Sequence, residues 1–263
     1  MIGIREAWSN MSESRVVQAA AGTYLVRGSE TNWIILVEDG SVTLVDGGYP
    51  QDADAVEASV REVGHRMRDV EAVLVTHAHV DHIGSLPWLT QKYGIPVHMH
   101  RVELAHARRE YLQQAGAKQV LANAWRPGVL PWAAHVVAAG ALRSCSLPAA
   151  EPFPREGALD LPGRPVPVPT PGHTSGHCSY HLPGKGVLIT GDALITGHAT
   201  SRLDGPQMLL PMFHHDRARA WRALDELEGV EADIVLPGHG PVFNGPLGLA
   251  LSKARENGAH HLR

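Results

Sequence analysis

The stretch that most constrains this chain lies between residues 71 and 82. There Glu71-Ala72-Val73-Leu74-Val75 runs through Thr76 into His77-Ala78-His79-Val80-Asp81-His82. A short, continuous apolar run is the pattern of a strand buried on both faces. Four groups able to ligate a metal follow it within six residues. In an extended segment, residues two apart point the same way, so His77 and His79 can grip one ion. Asp81 and His82 come from the turn beyond and can serve a second. Such a chain must bring the end of an interior strand to an open sheet edge, where functional groups gather on loops. Imidazole and carboxylate at this density suit Zn2+, and also Fe or Mn.

Three later segments repeat the arrangement. Pro171-Gly172-His173-Thr174 places a histidine after a proline-rich extended run, Thr190-Gly191-Asp192 places an aspartate after the apolar run 187–189, and Pro237-Gly238-His239-Gly240 closes the run 233–236. In each, a strand is followed by glycine and then by a ligand type, and glycine lets the backbone turn sharply and approach closely. The rest of the pattern is mixed. Strands are expected at 23–26, 32–37, 41–45, 71–75, 96–99, 166–169 and 187–190, and helices at about 52–63, 83–92, 102–114 and 216–228. Eight prolines between Pro148 and Pro171 exclude a regular helix there, and Val166-Pro167-Val168-Pro169 reads as an edge strand. Interleaved helices and strands with hairpins give an α+β class and a single domain over 1–263, with a partly helical insertion at about 101–157.

Composition narrows the function. The 17 histidines outnumber the six Trp, five Tyr and three Phe taken together, and the formal net charge is −4. A negative chain is a poor phosphate-tracking surface, so nucleic acid is not an expected partner. Cys145 and Cys178 are the only cysteines, too few for a disulfide scaffold or a four-cysteine zinc site. Residues Met1–Asn10 show no apolar stretch of signal-peptide length, and no run of about 18 apolar residues suits a membrane span. A cytoplasmic protein without membrane contact is the expectation. The tail Ala259-His260-His261-Leu262-Arg263 is too short to count as a metal site.

Taken in order, the His-x-His-x-Asp-His segment and the downstream His173, Asp192 and His239 resemble the metallo-β-lactamase-fold hydrolase superfamily, with Asp46-Gly47-Gly48 resembling its early aspartate motif. The resemblance runs from about Tyr24 to Val242. It implies a four-layer αβ/βα sandwich with two facing mixed sheets and outer helices, and two divalent ions, Zn2+ first, at one edge. His77, His79 and His173 would hold the first ion, Asp81, His82 and His239 the second, and Asp192 would bridge them. Asp46 would orient ligands, with His177 in a supporting place. The implied chemistry is hydrolysis by a metal-bridging hydroxide, with Asp81 relaying the proton, on an ester, thioester, lactone or similar small-molecule bond.

Departures from particular branches sharpen this. An aspartate at position 192 disfavours antibiotic hydrolysis, and His79 disfavours the flavodiiron branch. Ala193-Leu194-Ile195 lacks the tyrosine that the acyl-homoserine lactonases typically carry. Only 24 residues follow His239, short of the helical domain with which glyoxalase II enzymes grip glutathione. A different reaction class shares the motifs: persulfide dioxygenases, which would use one iron held by His77 or His79 with His173 and Asp192. A non-catalytic metal binder and a nuclease are further alternatives.

Substrate contacts are sought after Asp192 and in the insertion. Arg202, His198 and Phe213 are the candidates, with Trp125, Arg126, Trp132, Arg143, Met208 and Met212 nearby in sequence. Trp88 is expected in the core. His98 and His100 are expected to make local hydrogen bonds, and His214 and His215 to line the entrance or cap a helix. His65, His106, His135 and His181 have no evident partner, and Cys178 reads as a packed thiol. The expected partner is a small molecule, and a homodimer is the oligomer to test.

Overall fold

The structure, a computed structural model, describes residues 15–260. The readings of Met1–Asn10 and of the tail from His261 onward lie outside the described residues. Among the described residues, twelve strands form two sheets. The first runs β1 (Val16–Ala20), β2 (Thr23–Arg27), β3 (Asn32–Glu38), β4 (Ser41–Val45), β5 (Val70–Val75), β6 (Val97–Met99) and β7 (Glu151–Pro152), in that spatial order. The second comprises β8 (Val166–Pro169), β9 (Cys178–Leu182), β10 (Val187–Gly191), β11 (Ile234–Pro237) and β12 (Phe243–Asn244), ordered β12-β11-β10-β9-β8. The proline-alternating β8 is therefore an edge strand, where missing N–H groups cost no ladder bonds. Strands β1 to β4 pair antiparallel, whereas β4, β5 and β6 pair in parallel, as do β10 and β11.

The helices are α1 (Ala53–Glu62), α2 (Val80–Ile83), α3 (Leu86–Tyr93), α4 (Leu104–Ala107), α5 (Ala117–Ala122), α6 (Val129–Ala138), α7 (Arg217–Ala223) and α8 (Leu247–His260). Three hydrophobic clusters reveal the layering. One joins Trp33, Ile35 and Val73 to Val56, Val60, Leu86 and Leu89 of the helices. A second joins Leu188 and Val235 to Ala220, Leu224, Ala250 and Leu251. The third lies between the sheets, with Leu25, Ile34, Leu36 and Leu74 facing Tyr180, Leu182, Ile189 and Leu236. Alternation along β3 sends Trp33 and Ile35 to the helices and Ile34 and Leu36 to the other sheet. The order is helix, sheet, sheet, helix. Each fully buried Leu or Ile contributes about 1.5–3 kcal/mol before the entropy of ordering it is counted.

Local readings differ in three places. The helix expected over 102–114 stops at Ala107, because Arg109 turns left-handed at φ 64° and sends its guanidinium to the carbonyls of Ala78 and Cys145. The helix expected over 216–228, capped by the Asp216 side chain on the Arg219 amide, passes into a 3-10 turn at Asp225–Leu227. Trp88 is 41% exposed, because Leu86 and Leu89 take the inward face of α3, and Lys92 Nζ sits 4.2 Å above its ring.

Candidate metal centre

The site is built where parallel strands end. Asp46 follows β4, His77 to His82 follow β5, Asp192 follows β10 and His239 follows β11; His173 comes from the turn between β8 and β9. Carboxyl ends of neighbouring parallel strands open at one edge, so residues far apart in sequence converge there. Close approach also demands glycine. A Cβ on Gly238 would collide with Asp192 Oδ1 and lie 2.9 Å from His82 Cε1.

Three overlapping donor groups each lie within 4.8 Å: His77, His79 and His173; His77, His82 and Asp192; and Asp81, His82 and His239. His173 Nε2 is 3.1 Å from His77 Nε2 and 3.0 Å from His79 Nδ1. On the other side, His239 Nε2 lies 3.2 Å from Asp192 Oδ2 and 3.5 Å from Asp81 Oδ2. Asp192 touches both sides, since its Oδ2 is also 3.4 Å from His173 Nε2 and its Oδ1 is 3.5 Å from His82 Nε2.

The outer nitrogen of every ring is already engaged, which fixes the tautomers. His79 Nε2 donates to the Gln113 carbonyl at 2.7 Å, His239 Nδ1 to the Glu30 carbonyl at 2.7 Å, and His82 Nδ1 to Asp46 Oδ2 at 2.7 Å. His77 Nδ1 faces Thr76 Oγ1 at 3.1 Å, whose own hydroxyl donates to Asp46. His173 Nδ1 faces His214 Nδ1 at 3.4 Å, and His214 Nε2 donates to the Leu209 carbonyl. All five inner nitrogens therefore converge: those of His77, His79 and His173 face one another, and those of His82 and His239 face the carboxylates of Asp192 and Asp81. His82 Nε2 and Asp192 Oδ1 are buried with no hydrogen-bond partner. Unpaired buried polar atoms are costly, and converging lone pairs repel, so this donor set fits divalent cations. His177 stands behind it: its Nε2 accepts the Asp192 amide at 3.0 Å and its Nδ1 meets Thr170 Oγ1 at 2.9 Å.

The Metallo-beta-lactamase superfamily profile matches residues 26–239. The chain belongs to the metallo-β-lactamase superfamily. It is 25% identical over 224 residues to the probable metallo-hydrolase YflN of Bacillus subtilis (strain 168), covering 79% of this chain and 78% of that one. It is 30% identical over 166 residues to a hydroxyacylglutathione hydrolase of Halorhodospira halophila, covering 63% of this chain but 48% of that relative. The metallo-beta-lactamase family protein TTHA1429 of Thermus thermophilus superposes with a TM-score of 0.61 at 27% identity, covering 92% of this chain and 80% of that one.

Within this superfamily member the two sides of the cluster differ in charge. Burial, with the neighbouring imidazoles adding to it, holds His77 and His173 well below the usual histidine range, and burial lowers His79 to about 4. Around His82 and His239 burial acts the same way, but carboxylates outweigh it. Asp46, Asp192 and Asp81 raise His82 well above its ordinary value, and Asp192 and Asp81 raise His239 to about 10. In return, burial would raise Asp81, yet His82 and His239 lower it to about 2.

Several supporting groups escape sequence reading. Glu103, fully buried, binds the loops of both His77–His79 and His173. Its neighbour His106 is thereby accounted for. Asn32 Nδ2 donates to the carbonyls of Pro237 at 2.9 Å and Gly240 at 2.8 Å, holding the His239 loop. Of the remaining histidines, His181 meets the Glu231 carbonyl and His100 accepts the Val102 amide, whereas His98 Nδ1 is buried without a partner. His135 pairs with Glu30 at 2.9 Å and His65 lies 3.9 Å from Asp69. Cys178 is a buried thiol whose pKa burial pushes far up.

Beside His239, the sequence candidates separate. The His198 ring packs 5.0 Å from His239 and 5.1 Å from Phe213, and Trp132 of α6 joins them at 5.7 and 5.3 Å. Burial lowers His198 to about 3, so it is neutral. Arg202 is exposed, as is Trp125, and Met208 is core. No helix among the described residues is long and apolar enough to cross a membrane.

Proposed function

We propose that the chain is a hydrolase that holds two divalent ions, Zn2+ foremost, and cleaves an ester, thioester, lactone or similar bond of a small molecule in the cytoplasm. The observation that carries the reading is the inward convergence of five histidine nitrogens on Asp192 and Asp81, with every outer ring nitrogen engaged. His77, His79 and His173 would hold one ion and Asp81, His82 and His239 the other, with Asp192 between them and Asp46 and His177 fixing the ligands. Such ions lower the pKa of water toward about 7 and polarise a scissile carbonyl. Asp81, ionised and the most accessible of the donors, is suited to take the proton of the attacking water and return it to the leaving group. The neutral wall of His198, Phe213 and Trp132 suits an uncharged part of the substrate. The similarity to a hydroxyacylglutathione hydrolase supports acyl substrates.

The test is the metal content of protein purified without added metal, followed by chelator-sensitive hydrolysis of an ester, thioester and lactone panel. Two ions per chain and turnover abolished by chelation are expected. One iron per chain with oxygen uptake would overturn the reading in favour of a persulfide dioxygenase. Phe213→Ala should raise KM several-fold, whereas Arg202→Ala should leave it within about twofold; the reverse would move the substrate pocket toward Arg202.

A further inference from the structure

Glu103 is a carboxylate with no solvent exposure, in the 3-10 turn that follows β6. Four donors surround it. Oε1 accepts the Ala78 amide at 2.8 Å and His106 Nδ1 at 2.8 Å; Oε2 accepts the Thr174 hydroxyl at 2.8 Å and the Gly176 amide at 2.9 Å. Ala78 lies between His77 and His79, and Thr174 and Gly176 belong to the turn that carries His173. The chain of contacts continues outward. His106 Nε2 accepts the Gln113 amide at 3.2 Å, and the Gln113 carbonyl accepts His79 Nε2. The Gln113 side chain then clamps Ser175, through its amide at 2.8 Å and its hydroxyl at 2.8 Å. A Cβ on Gly176 would strike the Glu103 amide, so the two backbones meet as closely as glycine allows. These donors and His106 outweigh burial and hold the Glu103 pKa at about 2, keeping it an all-acceptor group.

The His82 and His239 loops use other supports, Asp46, Asn32 and the Glu30 carbonyl. We propose that Glu103 is a positioning residue for one ion only: it joins the His77–His79 loop to the His173 loop and so sets the donor spacing of the first ion, leaving the second to Asp46 and Asn32. The inference rests on the two-ion reading. Replacing one Glu103 oxygen by NH2 would set a donor against the Gly176 or Ala78 amide, opening the seam between the loops without removing a ligand.

Zinc titration of metal-free protein against a chromophoric chelator tests this without recourse to activity. Wild type should take up two ions. Glu103→Gln should weaken one by about 10–100-fold, the usual cost of losing a ligand-orienting partner, and leave the other within about twofold. Two backgrounds identify which. With His239→Ala the remaining ion should weaken by that same factor on adding Glu103→Gln; with His173→Ala it should stay within about twofold. Thr174→Val, nearly isosteric and missing one of the four donors, should weaken the same ion several-fold and serves if Glu103→Gln does not fold. Equal weakening of both ions, or of neither, would overturn the inference while the two-ion reading stands. Fewer than two ions on wild type would overturn that reading, and the inference with it.

Discussion

The two sides of the cluster use similar ligand types in opposite electrostatic settings. His77, His79 and His173 face one another with Asp192, and at His79 also Asp81, for counter-charge, and burial outweighs it and keeps them neutral. His82 and His239 sit among Asp46, Asp81 and Asp192 and keep their protons. A cation at the first side would thus displace no extra proton, whereas one at the second would have to displace protons from His82 and His239. A symmetric-looking donor count, three against three, therefore does not imply equal binding. The carboxylate shared by both sides is the point at which the comparison is most easily broken. Asp192→Ala removes a contact to each and should weaken both ions by at least about 100-fold, more than an orienting partner is worth, in the same zinc titration. Loss of one ion alone would show that Asp192 belongs to a single side.

The pH dependence should separate the sides next. His239, held at about 10 in the metal-free protein, carries a proton near neutrality that a cation must displace. Affinity at that side should therefore rise with pH across the neutral range, by about tenfold per unit for each proton released. His79, at about 4, has nothing to release above about pH 5, so affinity at the first side should stay flat from about pH 6 to 8. Titrations of the His173→Ala and His239→Ala backgrounds across that range measure each side alone. Parallel slopes would dissolve the distinction.

The same contrast bears on what a sequence can show. The seven candidate donors are legible because each sits in a local pattern, an apolar strand, a tight turn and a polar group, that survives without knowledge of the fold. The four layers are legible through the same strands and through the resemblance. What supports the donors is not. Glu103 acts on Ala78 and Thr174 across 25 and 71 residues, and Asn32 on Pro237 across 205. Neither has a local signal, since a glutamate after a histidine-bearing strand and an asparagine opening a strand are ordinary surface residues until the chain closes. Arg109 ends a periodic helix by turning left-handed, a tertiary choice that its flanking residues do not announce. Trp88 looks like core because its helix is amphipathic, yet its position falls on the outer face.

Gly238 tests how tightly the second side is built. It lies against Asp192 and His82, and its amide donates to the Gly191 carbonyl at 2.9 Å, tying the β10 and β11 loops together. Gly238→Ala should push Asp192 off His82 and weaken the second ion by about tenfold or more, with a smaller effect on the first. An unchanged titration would mean that the loops move apart to relieve the overlap without cost.

Thr76 offers the smallest and most diagnostic change, because its hydroxyl reaches toward both sides, as Asp192 does. It donates to Asp46 Oδ2 at 2.7 Å, the oxygen that also receives His82 Nδ1, and it lies 3.1 Å from His77 Nδ1. Thr76→Val keeps the shape and removes both bonds. Each is worth about 1 kcal/mol net, so each ion should weaken by only about three- to tenfold, and by similar factors. Asp46 would retain the Thr76 amide at 2.8 Å and His82, which limits the loss on the second side. His77 would keep its inward lone pair but lose the acceptor that fixes its ring, which limits the loss on the first. Similar small losses at both ions would establish Thr76 as the hinge between two separately supported sites, in contrast to Glu103; a loss confined to one ion would place that hinge wholly on one side and leave Asp192 to connect the two.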